Sequence, residues 1–228
     1  MKLSNENIEA VDAALSRVYG NPRHGNKLDP FDELLFILCS QKTQRRGYER
    51  AYSDLRKSFP TRSSLAAATQ DEIAQVLKPY GLSRQKAGCI RAAIERTQST
   101  FDRVTLSPLR SQNDEACERF LTSIPGIGKK VARCVMLYSL GRCVFPVDTH
   151  CWRVSRRLGW VRRTRPDGSC SPRDMDRLQA KIPADQRYTL HVNLVAHGRL
   201  VCTARNPACE ACPISRYCQR VGVAKQRP

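Results

Sequence analysis

Leu121-Thr-Ser-Ile-Pro-Gly-Ile-Gly-Lys-Lys130-Val-Ala-Arg-Cys-Val-Met-Leu-Tyr-Ser-Leu140 is the stretch on which the architecture turns. Two glycines one residue apart, Gly126 and Gly128, let the backbone take positive φ and reverse sharply between two helices. Pro125 stiffens the entry. Phe120, Leu121, Ile124, Ile127, Val131, Val135 and Leu137 supply apolar faces that pack the helices together. The N–H groups of such a turn, and of the next helix's first turn, converge on one spot. That spot suits a phosphate oxygen, and the helix macrodipole adds to the attraction. A bare Gly-x-Gly marks no more than a helix–helix turn. Pro-Gly-Ile-Gly-Lys between two amphipathic helices is a stronger sign of a backbone grip on phosphate.

Outward from the hairpin the pattern stays helical. Ile8, Val11, Leu15 and Val18 recur at helical spacing behind Ser4 and Asn5, either of which can cap. Further amphipathic segments are expected over residues 31–39, 45–58, 70–77, 83–99, 113–122, 129–140, 149–158, 172–181 and 186–201. Turn signals separate them: Gly20-Asn21-Pro22, Phe59-Pro60-Thr61, Pro79-Tyr80-Gly81, Phe145-Pro146 and Pro166-Asp167-Gly168. No run shows the two-residue alternation of strands, so the fold class expected is all-α.

Lys and Arg number 39 against 21 Asp and Glu, a net +18 that favours polyanionic partners, nucleic acid first. The charge is concentrated. Between Lys129 and Arg165 lie ten basic residues (129, 130, 133, 142, 153, 156, 157, 162, 163, 165) against one acid, Asp148, a net +9. Beside an anion-gripping turn, this run reads as a surface that tracks phosphates. No apolar stretch reaches membrane-spanning length, and no apolar signal region opens the chain, so a cytoplasmic, bacterial-type setting is expected.

Of the eleven cysteines, Cys39, Cys89, Cys117, Cys134, Cys143, Cys151 and Cys170 are scattered and read as small hydrophobes or idle thiols. The other four are clustered as Cys202-x6-Cys209-x2-Cys212-x5-Cys218. Four thiolates hold either zinc or an iron–sulfur cluster, and ligand type alone does not choose. Lys130 opens the helix after the hairpin. Asp148 follows 18 residues later in Phe145-Pro-Val-Asp-Thr-His150, where it is also placed to cap a helix starting at Thr149. His191 and His197 make no metal pair and read as packing residues.

Taken together, from about residue 25 to residue 220, these motifs resemble the helix-hairpin-helix superfamily of DNA glycosylases, and within it endonuclease III. The likeness rests on Ser40-Gln41 after an apolar helix, Gly81-Leu82 before a basic helix, the hairpin, Val-Asp-Thr-His and the cysteine spacing. The resemblance implies Lys130 as nucleophile and Asp148 as its carboxylate partner. It implies a [4Fe–4S] cluster on Cys202, Cys209, Cys212 and Cys218. DNA contacts are implied at Gln41, Leu82, Gly126, Gly128, Lys129 and His150: Gln41 fills the gap left by a flipped nucleotide, and Leu82 wedges the opposite strand. The matching plain readings are a surface glutamine and a helix-packing leucine. For the lysine to be neutral and nucleophilic, Lys129, Arg133 and the helix N-terminus would have to lower its pKa.

The implied architecture is two helical domains with a DNA-binding cleft between them. A six-helix barrel would span 22–141, and 1–21 with 142–228 would form a second domain carrying the cluster loop, 202–218. The implied activity is base excision with AP lyase cleavage of double-stranded DNA holding a lesion or abasic site, by a monomer with no membrane partner. Val131 and Lys42-Thr43 depart from the usual residues. Residues 145–149, 157–161, 202–203 and 212–213 are also similar to plant glycosylases that remove methylcytosine. Oxidised pyrimidine, mismatched thymine or uracil, and modified cytosine therefore all stand as substrates, and a non-catalytic DNA-binding module stands as the rival class.

Overall fold

A computed structural model describes residues 5–43, 45–162, 165 and 167–223. Among them every regular element is helical. The capping expected of Ser4 or the Asn5 side chain, and the placement of Arg163 and Pro166, lie outside the described residues. The chain's contacts divide it into two compact units, Gly25–Arg142 and Met1–His24 with Cys143–Pro228.

In the unit Gly25–Arg142, α2 (Pro30–Ser40) is buried on nearly all sides and packs against α3 (Arg45–Ser58) and α8 (Lys129–Ser139). Asp29 starts α2 by accepting from the N–H groups of Phe31 (3.0 Å) and Asp32 (2.8 Å), while Pro30 contributes no donor needing a partner. Then come α4 (Arg62–Ala67), α5 (Gln70–Leu77), α6 (Ser83–Phe101) and α7 (Asp114–Thr122). α5 lies on α6, and α7 on α8. The described residues thus give this unit six helices of eight residues or more, plus the short α4. α4 was not anticipated. It buries only Leu65 and is nucleated by a capping box in which Thr61 and Ser64 satisfy each other's backbone.

The second unit is built from α1 (Asn5–Tyr19), α9 (Thr149–Leu158), α10 (Pro172–Gln179) and α11 (Arg187–Leu200). Its core joins Ile8, Val11 and Leu15 of α1, Val154 and Leu158 of α9 and Leu190 and Leu194 of α11 around Phe145 and Trp160. Both tryptophans bury their rings and satisfy the indole N–H: Trp160 donates to Asn7 Oδ1 (2.9 Å) and Trp152 to the Gly168 carbonyl (2.8 Å). After α11 the chain up to Val223 forms no α-helix, only a 3-10 turn at Ser215–Tyr217. Of the scattered cysteines, 39, 89, 117, 134 and 151 are buried, Cys170 is half-buried and Cys143 is exposed.

Candidate functional site

The reversal between α7 and α8 is made by backbone. Ile127 N–H donates to the Ile124 carbonyl (3.0 Å), and both isoleucines are buried beneath the turn. Gly126 has φ +83°, and a Cβ there would stand 2.2 Å from Cys89 Sγ of α6. Only glycine meets both conditions. Gly128 differs from expectation: its φ is −89°, open to any residue, and nothing lies within 4 Å of where its Cβ would be. It is the N-cap of α8, yet no side chain caps that end, so the first-turn N–H groups suit an anion from outside.

Lys129 and Lys130 open α8, both half-buried. Lys129 is salt-bridged to Glu118 Oε1 (3.1 Å), and Arg133 Nε donates to Glu118 Oε2 (2.6 Å). One carboxylate of α7 therefore offsets both cations expected to depress Lys130. Lys130 points about 100° away around the helix. On α2, Glu33 is fully buried, accepting from Asn26 Nδ2 and Lys27 N–H, both at 2.5 Å. Burial pushes its pKa up to about 7, against those hydrogen bonds and the positive charges of Lys27 and Lys130.

Asp148 is the N-cap of α9, its Oδ1 accepting from Cys151 N–H at 2.7 Å. The cap and the proposed catalytic role are compatible, because the bond fixes the carboxylate's orientation. His150 is the second residue of the helix, its Nδ1 accepting from Arg153 Nη2 (3.1 Å). Burial holds its pKa below the usual histidine value, with Asp148 opposing. Its Cβ and Nδ1 crowd Gly198 of α11, where a Cβ would come within 2.7 Å of His150 Cβ. Gly198 was not singled out in the sequence, and its requirement comes from this close approach.

Gln41 ends α2 as its C-cap, half-buried. Leu82 precedes α6 with φ +52°, a strained conformation for leucine, and is 40% exposed. Exposure to that degree does not fit a leucine used only for helix packing. Beneath both lies Lys86, fully buried, its ammonium donating to Thr43 Oγ1 (2.8 Å) and the carbonyls of Cys39 (3.1 Å) and Tyr80 (3.2 Å). Burial holds its pKa below the ordinary lysine range.

Cys202, Cys209, Cys212 and Cys218 line a single cavity together with Val154, Arg157 and His197. Four cysteines lining one largely apolar hollow, with Arg157 donating to the Cys202 sulfur, fit the residues an iron–sulfur group needs. Arg157, nearly buried, donates from Nη1 to Cys202 Sγ (3.1 Å) and the Thr203 carbonyl (2.6 Å), and from Nη2 to the Ala204 carbonyl (2.9 Å). Arg220 N–H donates to Cys218 Sγ (3.4 Å). His197 is not a mere packing residue. Its Nδ1 is 2.9 Å from Tyr19 Oη and its Nε2 3.6 Å from Cys212 Sγ.

The basic run departs from its reading as a phosphate-tracking surface. Arg133 is held by Glu118. Arg142 donates to the carbonyls of Arg110 (2.8 Å) and Gln112 (2.6 Å). Arg153 donates to the carbonyls of Cys202 (2.9 Å) and Gly198 (2.7 Å), and Arg157 binds the cysteine segment. These four arginines are held by backbone carbonyls and a carboxylate of the chain itself, which a count of charges does not reveal.

Residues 36–178 match the model of the HhH-GPD superfamily of base excision DNA repair proteins, and residues 202–218 match the iron–sulfur binding domain of endonuclease III. The chain belongs to the HhH-GPD superfamily. Within it the protein is an endonuclease III-like DNA glycosylase and AP lyase whose cofactor is a [4Fe–4S] cluster. It is 29% identical to endonuclease III of Thermotoga maritima over 198 residues, 87% of this chain and 86% of the relative. It is 29% identical to the DNA glycosylase/AP lyase ROS1 of Arabidopsis thaliana over 71% of this chain, but spans only 12% of that protein. A solved non-covalent complex of endonuclease III with DNA shares the fold, with TM-score 0.81 at 23% identity, covering 96% of this chain and 97% of the other. No described helix is long and apolar enough to cross a membrane.

Proposed function

We propose that this protein removes a damaged or modified pyrimidine from double-stranded DNA and cuts the strand at the resulting abasic site by β-elimination, acting as a monomer. In a bacterial-type cell it would work in the cytoplasm, at the nucleoid. The observation that carries the reading is Lys130 opening α8 directly after a turn whose first N–H groups have no side-chain cap.

In this scheme the hairpin backbone around Gly126 and Gly128 holds a phosphate. The Lys130 amine, once neutral, forms a bond to C1′ as the C1′–base bond breaks. The base leaves with a proton; the C1′–O4′ bond then breaks, O4′ takes a proton, and the ring-opened adduct is a Schiff base. Loss of a C2′ proton then expels the 3′ phosphate, and water releases the lysine. Asp148 stabilises the positive charge that develops on the sugar and moves the proton. Lys129 is committed to an ion pair with Glu118, which favours Lys130 as the amine. Gln41 and Leu82 enter the duplex when the nucleotide flips, a step costing a few kcal/mol. Cys202, Cys209, Cys212 and Cys218 would hold the cluster, and their ligation would cross-link the segment after α11.

Borohydride reduces a Schiff base to a stable amine, so it should trap the protein on abasic DNA. Lys130→Ala should abolish trapping and strand cleavage while binding persists, and Lys129→Ala should trap normally. Asp148→Asn keeps the cap but loses the charge, and should slow base excision by roughly 10²–10³. If Lys129→Ala loses trapping and Lys130→Ala keeps it, the assignment is one residue out. If neither matters, the protein is not a lyase. The same preparation on duplexes bearing an oxidised pyrimidine, a mismatched thymine or uracil, or a modified cytosine identifies the base.

A further inference from the structure

Lys86 is a buried cation that nothing in the chemistry above uses. A fully buried ammonium without a carboxylate partner is costly unless each of its three donors finds an acceptor. Here they do: the Cys39 carbonyl, the Tyr80 carbonyl and Thr43 Oγ1. The acceptors are not a random set. Cys39 lies two residues before Gln41, and Tyr80 two residues before Leu82. The Cys39 carbonyl belongs to the last turn of α2, where backbone acceptors lack helical partners and a cation is favoured. Thr43 closes the set, its Oγ1 lying 3.1 Å from both the Gln41 and the Tyr80 carbonyl. Tyr80 is further anchored to Asp54 of α3 through its hydroxyl. Lys42, with φ +50°, and Leu82, with φ +52°, put one unfavourable backbone conformation in each loop, and these persist only if the surroundings enforce them.

We propose that Lys86 is a positioning residue that clamps the Gln41 loop and the Leu82 loop into one rigid probe, so that Gln41 enters the gap left by a flipped-out nucleotide as Leu82 wedges the opposite strand. The proposal rests on the roles assigned above to Gln41 and Leu82. Its effect falls on opening the duplex, not on bonds made by Lys130.

The test uses the full-length protein with its cluster and a duplex carrying 2-aminopurine opposite a tetrahydrofuran abasic analogue. Unstacking of the reporter raises its fluorescence. Lys86→Met preserves chain length and removes the three hydrogen bonds, and the rise should slow about ten-fold. Iron content should stay normal, and so should borohydride trapping on single-stranded abasic DNA, where no duplex must open. Thr43→Val removes the bridging hydroxyl and should slow the rise in the same direction by less. It also decides the question if Lys86→Met is insoluble. An unchanged rise in soluble Lys86→Met, or in Thr43→Val when it alone is soluble, overturns the clamp if Gln41→Ala and Leu82→Ala slow it. Equal losses on single-stranded and duplex DNA also overturn it, because they mark general damage. If Gln41→Ala and Leu82→Ala leave the rise unchanged, the loop assignments fail and the clamp fails with them, while the trapping experiment on Lys130 still stands.

Discussion

The turn between α7 and α8 and the cysteine segment after α11 obtain their shapes in opposite ways. The turn is held by its neighbours in sequence: an Ile127–Ile124 backbone bond, two buried isoleucines and one glycine at positive φ. The cysteine segment has almost no regular structure of its own. Arg153 and Arg157 of α9, 45 to 49 residues upstream, bind the backbone of residues 202–204 and the Cys202 sulfur. The same residue types therefore mean different things in the two places. Near the turn, half-buried Lys129 and buried Arg133 share the one carboxylate of Glu118 on the neighbouring helix, whereas the arginines of α9 reach the backbone of a segment far along the chain. Positive charge in this chain serves architecture first, and DNA attraction falls to what remains exposed.

The comparison is tested most severely by two neighbours on α9. Arg157→Met strands two carbonyls and the Cys202 sulfur, and removing one partner of a buried charged network costs roughly 3–5 kcal/mol. The variant should lose iron per chain and shift its denaturation midpoint strongly. Arg156 is half-buried, and in the proposed function it is the residue of the pair that meets phosphate. Arg156→Met should keep its iron, weaken binding to all sequences about equally and lower the slope of log K against log salt by about 1. If Arg157→Met retains iron and stability and only the salt slope falls, the distinction between strut and phosphate contact collapses.

A second measurement probes the acid buried beneath Lys130. The pKa of Glu33 is about 7 in the folded chain against 4.5 in the unfolded one. Between those values the unfolded chain has released a proton that the folded chain keeps, so rising pH favours unfolding, and above pH 7 the full penalty is present. The difference corresponds to about 3 kcal/mol. Glu33→Gln should flatten the stability profile between pH 5 and pH 8 by about that amount, measured by denaturant titration at each pH. A parallel profile would mean that Glu33 stays ionised throughout.

The same contrast explains what was legible in the amino-acid order. Helices with a long apolar stripe, such as α1, α6 and α8, announce themselves because burial repeats every turn. α4 does not, since six residues with one buried leucine carry no period, although Thr61 three residues before Ser64 was a usable start signal. Local chemistry, such as the glycine turn and the four-cysteine spacing, is also readable. Long-range use is not. Lys86 and Arg157 look like solvent-facing cations on amphipathic helices, and only the fold reveals carbonyls converging on them. Gly198 and the Tyr19–His197–Cys212 chain were hidden for the same reason: their partners lie far away in sequence.

The smallest expected effect separates the two glycines of the turn. Gly126→Ala places a Cβ at φ +83° and within 2.2 Å of Cys89 Sγ, so the chain must strain both its backbone and α6. The cost should be about 2 kcal/mol, the scale of one side chain forced into a left-handed conformation plus a local clash. Adding Cys89→Ala removes the clash but leaves the strain, so the double variant should recover part of the loss and not all of it. Gly128→Ala meets no atom and needs no unusual φ, so it should change stability by under about 1 kcal/mol. Its new methyl instead stands at the uncapped start of α8, where the phosphate would approach. DNA affinity should fall for every sequence while the denaturation midpoint stays nearly fixed. Should Gly128→Ala unfold the protein and Gly126→Ala leave it intact, the turn would owe its shape to something other than its own backbone, and its contrast with the cysteine segment would be lost.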